Sequence, residues 1–582
     1  MTQDQLAHNR HTLAHLLAQA VQEQYPTAKL TLGPAVDNGF YYDIDFGADK
    51  IGDESLKELQ KFMRKNLSKW TEFTHREVTA DQAKEVFAGN QYKLELIDGI
   101  VERGETITLY SCGGFEDLCR GGHAENPAAE ISADSFKLDR VAGAYWRGDE
   151  KNPMLTRIYG LAFPTNEELE AYITQQEEAK KRDHRKLGKE LELFTVIDEI
   201  GAGLPLFYPN GAIVRRQIED FIRDIQESRG FVPIWIPHIT KGELYKISGH
   251  LDKYDAMYSP MKIDEDDYYL KPMNCPHFMM LYRSLPHSYR DLPVRYTCTT
   301  TNYRYEKSGE LSGLTRVRAL TQDDCHVFCE PAKIHDEIQV MIEMIGELYT
   351  VFGFNDFYVR ISLRDSQNKQ KYLGTDEVWD TAENALREIV KKTGWNYKEA
   401  EDEAAFYGPK LDFMFKDAIG REWQLSTIQL DFQLPERFEL DYVDATGAKV
   451  RPVVIHRAML GSVERFMGIM IEHFAGAFPV WLSPTQVTIV PIREEHEEFA
   501  EKVLAILRAK NIRAKIDDGK DSMGKRIRNA KSMKHPYVVI IGDAEKSAGV
   551  LTVETRTDKL ENISPEDFAA RVEKEIKEKT LN

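Results

Sequence analysis

A chain of 582 residues is too long for one hydrophobic core and predicts three or four domains. Its hydrophobic content of 42% holds no apolar run of membrane length, and the opening MTQDQLAHNR has no apolar segment, so neither a membrane span nor a secretory signal is expected. A formal charge of −19 argues against indiscriminate nucleic-acid binding, and any RNA partner must be met by local basic clusters.

Two such clusters are visible: KKRDHRKLGK from Lys180 to Lys189 and KRIRNAKSMK from Lys525 to Lys534. Each also reads as a solvated helix face. Six cysteines, two of them spaced from histidines like metal or catalytic groups, fit a reducing compartment better than a disulfide framework, so the cytoplasm is the expected location.

Residues from His8 to about Tyr25 read as a helix in which His11 and His15, four apart, share one face. In CRGGH, Cys119 stands four residues before His123. Together the four make a zinc-like set, because zinc takes N and S ligands tetrahedrally; helix and loop residues merely packed together are the alternative. After Phe163-Pro164, Thr165 and Glu168 form a capping box that opens a helix polar nearly all round. Such a helix bridges domains and places a linker at 165–190.

The run GAIVRRQIEDFIRDIQESRG spaces Val214, Ile218, Phe221, Ile222 and Ile225 as an apolar helical stripe. In the following strand, FVPIWIPHI, Pro233 and Pro237 suit an edge or a chain crossing. Between Arg304 and Cys329, RYEKSGELSGLTRVRALTQDDCHVFC, strand alternation puts Arg316, Arg318, Leu320, Gln322, Asp324 and His326 on one face. Arg304 and Glu306 share a face before the loop by the same parity. A solvent face seldom mixes arginines, carboxylates, an amide and a histidine, whereas a site for a polyphosphate and a small zwitterion needs them. AFYGPKLDFMF and REWQLSTIQLDFQ alternate well enough to extend an antiparallel sheet. In GSVERFMGIMIEHF, Arg465 sits in a helix apolar on nearly every side, so its guanidinium must find an anion. From about Thr485 strands alternate with helices, which predicts an α/β domain with a mixed sheet whose last helix is capped by Ser564 with Pro565 in its first turn.

The combination of KPMNCPH, RVRALTQDDCH, VIHRAMLGSVERF, HTLAH and CRGGH resembles the threonyl-tRNA synthetases, a class II aminoacyl-tRNA synthetase family, over nearly the whole chain. The type is bacterial, without the amino-terminal ubiquitin-like domain. The resemblance implies an α+β and α/β multidomain protein with an editing domain at 1–164, a linker helix at 165–190, a class II catalytic domain on an antiparallel sheet at 191–484 and an α/β anticodon-binding domain at 485–582. It implies a threonine–tRNA ligase that forms threonyl-adenylate from threonine and ATP, charges tRNA(Thr) and hydrolyses mischarged seryl-tRNA. Arg304 would hold the α-phosphate, Glu306 the adenine amino group, and Arg316 with Arg465 the outer phosphates, with Leu320 and Gln424 also on the ATP side and Mg2+ accompanying ATP. One zinc per chain would sit on Cys275, His326 and His456, an open three-ligand site, and bind threonine with help from Gln322, Asp324 and Tyr407. Lys410, Gln424, Gln429 and Ser462 match further active-site positions. His11, His15, Cys119 and His123 become the editing constellation, commonly without needing a metal, and Tyr42, Lys93 and Asp117 join it by motif match. The helix and strand around Val214 to Ile239 resemble motif 1 and imply a homodimer.

Several positions depart from the family pattern. Gly122 replaces a usual proline and is expected to loosen the turn carrying His123. Leu320 replaces a phenylalanine that stacks on adenine opposite the motif 3 arginine, and Ala319 replaces a frequent glycine. In the last domain Lys520, Lys534 and Glu554 differ from the usual anticodon-reading residues while Glu545 is retained.

Overall fold

The computed structural model describes residues 1–417 and 419–581 and divides into two compact units, Met1–Glu177 and Glu178–Asn582. No helix among the described residues is long and apolar enough to cross a membrane.

In the first unit the helix Gln3–Gln24 starts on a capping box: Thr2 Oγ1 accepts from the Gln5 amide at 3.2 Å and Gln5 Oε1 accepts from the Thr2 amide at 2.8 Å. It buries Leu13, Leu16, Leu17 and Val21 in a core shared with Phe40, Tyr42 and Ile158 of an antiparallel sheet ordered Lys29–Leu30, Gly39–Asp45, Met154–Ala162, Phe136–Tyr145. A second sheet runs Thr74–Val78, Ile107–Cys112, Phe115–Leu118. The helix Gln91–Glu102 packs on it through Ile97 and Ile107. Lys93 comes from that helix, and the CRGGH loop leaves the end of the last strand.

The linker stretch forms two helices, Asn166–Arg182 and His184–Glu190, parted at Asp183, whose side chain caps the second by accepting from the Arg185 amide at 2.8 Å. Only Leu169 of the first is buried, in keeping with its polar sequence. The helix Pro209–Glu227 buries the predicted stripe of Val214, Ile218, Phe221, Ile222 and Ile225.

An eight-stranded sheet organises the second unit, in the order Val232–Pro233, Val294–Tyr303, Ala319–Cys329, Val453–Ala458, Glu422–Asp431, Lys410–Lys416, Phe357–Ser362, Tyr397–Ala400. It is antiparallel except for the outermost pair at each end. The proline-bearing segment lies at an edge, where a residue without an N–H is tolerated. The helices Pro209–Glu227, Ile334–Phe352, Asp376–Thr393 and Val463–His473 bury their apolar faces in one core with the sheet. Register then decides the chemistry on the other face: His326 pairs with His456, and His456 with Gln429.

Parity fails at one predicted position. The strand begins at Ala319, and a bridge between Ser312 and Arg316 turns the chain before it. Arg318 therefore lies over the Tyr305 ring at 4.7 Å and donates to the Glu306 carbonyl, away from the face of Leu320, Gln322 and Asp324.

The last segment forms a five-stranded mixed sheet, Ala514–Ile516, Val487–Pro491, Tyr537–Ile541, Leu551–Glu554, Lys559–Ile563, parallel over the first three strands. Its closing helix Pro565–Glu578 starts where Ser564 Oγ accepts from the Asp567 amide at 3.1 Å. The basic run there is divided: Lys525, Arg528, Lys531 and Lys534 are exposed, but Arg526 is buried and donates to the Pro491 carbonyl at 2.8 Å.

Candidate functional site

A cavity of about 520 Å³ in the second unit brings together Arg304, Glu306, Arg316, Leu320, Gln322, Asp324, Tyr407, Gln424, Gln429, Ser462 and Arg465, with Cys275 and His456 on its wall. Arg304 donates to the Pro272 carbonyl at 3.3 Å, and Arg465 Nε to the Thr315 carbonyl at 3.0 Å. Ser462 caps the helix that carries Arg465. Burial, then the nearby Arg304 and Arg316, pull the Arg465 guanidinium below its ordinary value. Such a group of like charges calls for an anion. Arg316 meanwhile pairs with Glu306 and Glu310, each at 2.8 Å.

Beside the arginines, Cys275, His326 and His456 are all buried, and their ligand atoms lie within 4.8 Å of one another. Neither nitrogen of His326 has a hydrogen-bond partner among the described residues; Nδ1 lies 3.6 Å from Asp324 Oδ1. Burial keeps that ring neutral by driving it well below the ordinary imidazole value. His456 Nε2 is held by Asp431 Oδ2 at 2.9 Å, leaving Nδ1 as its unpartnered atom. Orphaned imidazole nitrogens in the interior are costly unless a cation takes them, and a carboxylate behind a histidine is the arrangement that orients a metal ligand. One Cys and two His with such a support fit a zinc site that keeps a fourth position open.

The polar floor of the cavity is fixed from behind. Lys271 Nζ donates to Asn274 Oδ1 (3.0 Å) and Thr300 Oγ1 (2.8 Å), and Asn274 Nδ2 donates to Asp324 Oδ2 (2.9 Å). Burial lowers the Lys271 ammonium to about 8 and raises the Asp324 carboxyl to about 6. Asp412, fully buried, accepts from Ser362, Lys410, Gln424 and Thr427 at 2.7–3.0 Å and thereby orients Gln424 and Thr427 on the cavity wall. Lys410, paired with Asp412 at 2.7 Å, is not on the wall. On the opposite face of the strand Asp323 accepts from Arg457 and from the Met459 and Leu460 amides, fixing the turn into Ser462.

In the first unit a cavity of about 360 Å³ is lined by His11, His15, Tyr42, Lys93, Asp117 and Cys119. His11 Nε2 lies 3.3 Å from His15 Nε2 and 3.6 Å from Cys119 Sγ, which is 3.3 Å from His123 Nε2. Asp117 is the hub, accepting from Tyr42 at 2.6 Å, pairing with Lys93 and lying 3.7 Å from His15 Nδ1. His123 is behind the wall, stacked on Phe73 at 4.0 Å. Burial lowers His11 and His15 and raises the Cys119 thiol to about 11, so neutral imidazoles and a thiol face the cavity.

Of the predicted positions, His326 and His123 pack just beyond the two cavities and Lys410 beside one; the others named for the sites are on the walls. Asp412, Asp431, Asn274 and Lys271 were not singled out by sequence reasoning. The signal available was KPMN beside the candidate Cys275, and the aspartates that close KLD and IQLD, each two residues after a site position, Lys410 and Gln429.

Residues 258–474 match the family described as tRNA synthetase class II core domain (G, H, P, S and T), residues 486–575 the anticodon binding domain, and residues 107–159 the threonyl and alanyl tRNA synthetase second additional domain. The threonine–tRNA ligase of Rubrobacter xylanophilus is 49% identical over 549 residues, covering 94% of this chain and 85% of its own. That of Flavobacterium johnsoniae is 47% identical over 577 residues, covering 98% and 88%. Among solved structures, the RNA binding domain of threonyl-tRNA synthetase from Cryptosporidium parvum Iowa II superposes with a TM-score of 0.64 at 36% identity, covering 67% of this chain and 98% of that one. A prolyl-tRNA synthetase from Cryptosporidium parvum shares the fold at 15% identity, with a TM-score of 0.53 and coverage of 68% and 74%. With identity near one half across almost its full length, the chain belongs to the threonine–tRNA ligases, class II aminoacyl-tRNA synthetases.

Proposed function

We propose that the cavity of the 191–484 domain makes threonyl-adenylate and charges tRNA(Thr), and that the 1–164 domain hydrolyses seryl-tRNA made in error. The observation that carries the first reading is one cavity in which three guanidinium groups share the wall with Cys275 and His456, the two members of the buried trio that His326 completes from behind. A threonine carboxylate oxygen attacks the α-phosphorus of Mg-ATP, the bond to the β-phosphate oxygen breaks, and pyrophosphate leaves. Arg304 neutralises the α-phosphate, and Arg316 and Arg465 the outer phosphates. Phosphate draws Arg316 from Glu306, whose carboxylate is then free for the adenine amino group. A hydroxyl at the tRNA 3′ end next attacks the acyl carbon, and AMP leaves. Cys275 as a thiolate and His326 and His456 as neutral imidazoles would hold a zinc ion, which would supply Lewis-acid chemistry at the threonine end of the cavity. Asp324, oriented by Asn274 and Lys271, lines the same end with Gln322 and Tyr407.

Valine would leave this polar end unsatisfied, a penalty that supports discrimination of about 10⁴-fold, but serine lacks only a methyl, worth about 1–3 kcal/mol. A second, hydrolytic site follows from that shortfall. His11 Nδ1 faces the Gly122 carbonyl at 3.1 Å, which makes Nδ1 the protonated nitrogen and leaves Nε2 able to take a proton from an attacking water. The four residues His11, His15, Cys119 and His123 also lie close enough to hold a metal.

The protein is read as a cytoplasmic homodimer, on its six free cysteines and on the exposed apolar residues around Trp235. The anticodon-binding domain at 485–582 meets tRNA with the exposed lysines of its basic helix, and the linker at 165–190 joins the first two domains. Pyrophosphate exchange with each amino acid tests the synthetic reading, and a preference for any amino acid over threonine overturns it. For the editing reading, His11→Ala is expected to abolish deacylation of seryl-tRNA while leaving exchange with threonine intact; deacylation at the wild-type rate would refute it.

A further inference from the structure

His184 is a buried histidine outside both cavities, the first residue of the helix His184–Glu190. Its Nδ1 lies 2.6 Å and its backbone amide 3.0 Å from Glu472 Oε1, near the end of the helix that carries Arg465. Its Nε2 lies 3.0 Å from the amide of Leu314, in the loop between the two arginine-bearing segments. An amide N–H can only donate, so Nε2 is the acceptor and Nδ1 carries the proton toward Glu472. Burial opposes ionisation of Glu472, but hydrogen bonds from His184 and Arg421 hold its carboxyl below the ordinary value, in the form that needs a donor.

The joint is close-packed. Gly313, at φ +47°, lies so near the ring that a Cβ there would sit 2.1 Å from His184 Nε2. A Cβ on Gly468 would meet Thr315 Cγ2 at 3.2 Å and Leu314 Cβ at 3.3 Å. Thr315, next after the anchored Leu314, lends its carbonyl to Arg465 Nε at 3.0 Å, and Arg316 follows it on the cavity wall. One imidazole thus fixes a loop amide on one side and the end of the Arg465 helix on the other, and the phosphate-facing guanidinium groups hang from the two anchored pieces.

We propose that His184 is a positioning residue for ATP: bridging Glu472 to the Leu314 amide, it sets the Thr315 carbonyl and with it Arg465. The inference rests on the reading of the cavity as the ATP site. His184→Asn keeps an amide donor for Glu472 but cannot reach Leu314, while His184→Gln sets an amide oxygen near the position of Nε2. Direct ATP binding and pyrophosphate exchange are measured on the full chain of both variants and the wild type, with thermal unfolding and the threonine Michaelis constant as controls for the fold of the domain that carries His184 and seryl-tRNA deacylation as the control for the other unit. In His184→Asn the ATP dissociation and Michaelis constants are expected to rise by about tenfold, the scale of one lost buried hydrogen bond. The Michaelis constant for threonine and the deacylation rate stay level, and His184→Gln recovers most of the ATP affinity. A wild type that does not bind ATP overturns the reading of the cavity; a wild type and His184→Asn that bind ATP equally overturn the inference alone. A rise in both Michaelis constants together, unrelieved by glutamine, also overturns it, since a general loosening of the domain would do that.

Discussion

Leu320 stands on the cavity wall, 8% exposed, with Asn302 opposite it across the ladder and Ala319 beside it. A leucine packs against a base but has no π-face, and stacking on an aromatic ring contributes about 1–3 kcal/mol. Leu320→Phe is therefore expected to lower the ATP Michaelis constant several-fold in pyrophosphate exchange and to leave that for threonine unchanged. An ATP constant that stays level or rises would mean that the pocket has closed around leucine and that the ring overpacks it. At Gly122 the backbone shows how the turn carrying His123 is built. Gly121 and Gly122 both take left-handed values, φ 95° and 81°, and the Gly122 carbonyl faces His11 Nδ1. This is a defined turn that proline, locked near φ −65°, cannot enter. A left-handed φ costs other residues about 1–2 kcal/mol. Gly122→Pro should cut seryl-tRNA deacylation by about tenfold or more without touching threonine activation, because it displaces the carbonyl that orients His11. Deacylation at the wild-type rate in this variant would show that the turn does not position the imidazole.

The candidate metal centre is assembled from three elements: the start of the helix Cys275–Arg283 and the paired strands Ala319–Cys329 and Val453–Ala458. If the trio holds zinc, Cys275→Ser is expected to purify without bound metal and without threonine activation, with seryl-tRNA deacylation unaffected; metal analysis and pyrophosphate exchange on one preparation of wild type and variant check both. Full zinc content with normal exchange would remove Cys275 from the ligand set. Much of this was legible in the sequence, because alternation within a strand fixes which side chains share a face, and Leu320, Gln322, Asp324 and His326 obey it. Arg318 does not, since parity holds only inside a strand and this one starts at Ala319. The supporting residues were not legible for a different reason. Asp431 meets His456 across 25 positions and Asp323 meets Arg457 across 134, pairings set by register between strands and encoded in no single run. Lys271 and Asn274 sit together in KPMN, but Asn274 meets Asp324 across 50 positions, so the run alone does not show what it holds.

The helical stripe of Pro209–Glu227, the edge position of the proline segment and the mixed sheet of the last segment all followed from periodicity and turn chemistry, and for the segment after the stripe, where the resemblance implied a homodimer, burial names the exposed residues. Trp235, just past the edge strand Val232–Pro233 of the eight-stranded sheet, is 79% exposed, with Val232 at 54% before it and Ile239, which opens a strand of a separate three-stranded sheet, at 46% after it. Large exposed aromatics of this kind act as interface anchors, and in a two-fold dimer each is buried twice. At about 2 kcal/mol per anchor, Trp235→Glu should weaken a dimer by about 4 kcal/mol, roughly a thousandfold in its dissociation constant. The same segment is wired to the site. The Ile234 amide donates to the Thr297 carbonyl at 2.9 Å, Thr297 Oγ1 donates to the Asp324 carbonyl at 3.2 Å, and Ile236 packs in the cluster that holds Cys275 and Phe278. A chain that loses its partner here should loosen at the threonine end of the cavity before the phosphate end. The variant is thus expected to sediment as a monomer at micromolar concentration, to keep its helical and sheet content, and to show a raised threonine Michaelis constant with that for ATP little changed. A Trp235→Glu chain that remains dimeric would show that the patch serves another purpose, and a monomer with full threonine affinity would cut the link from Ile234 through Thr297 to Asp324.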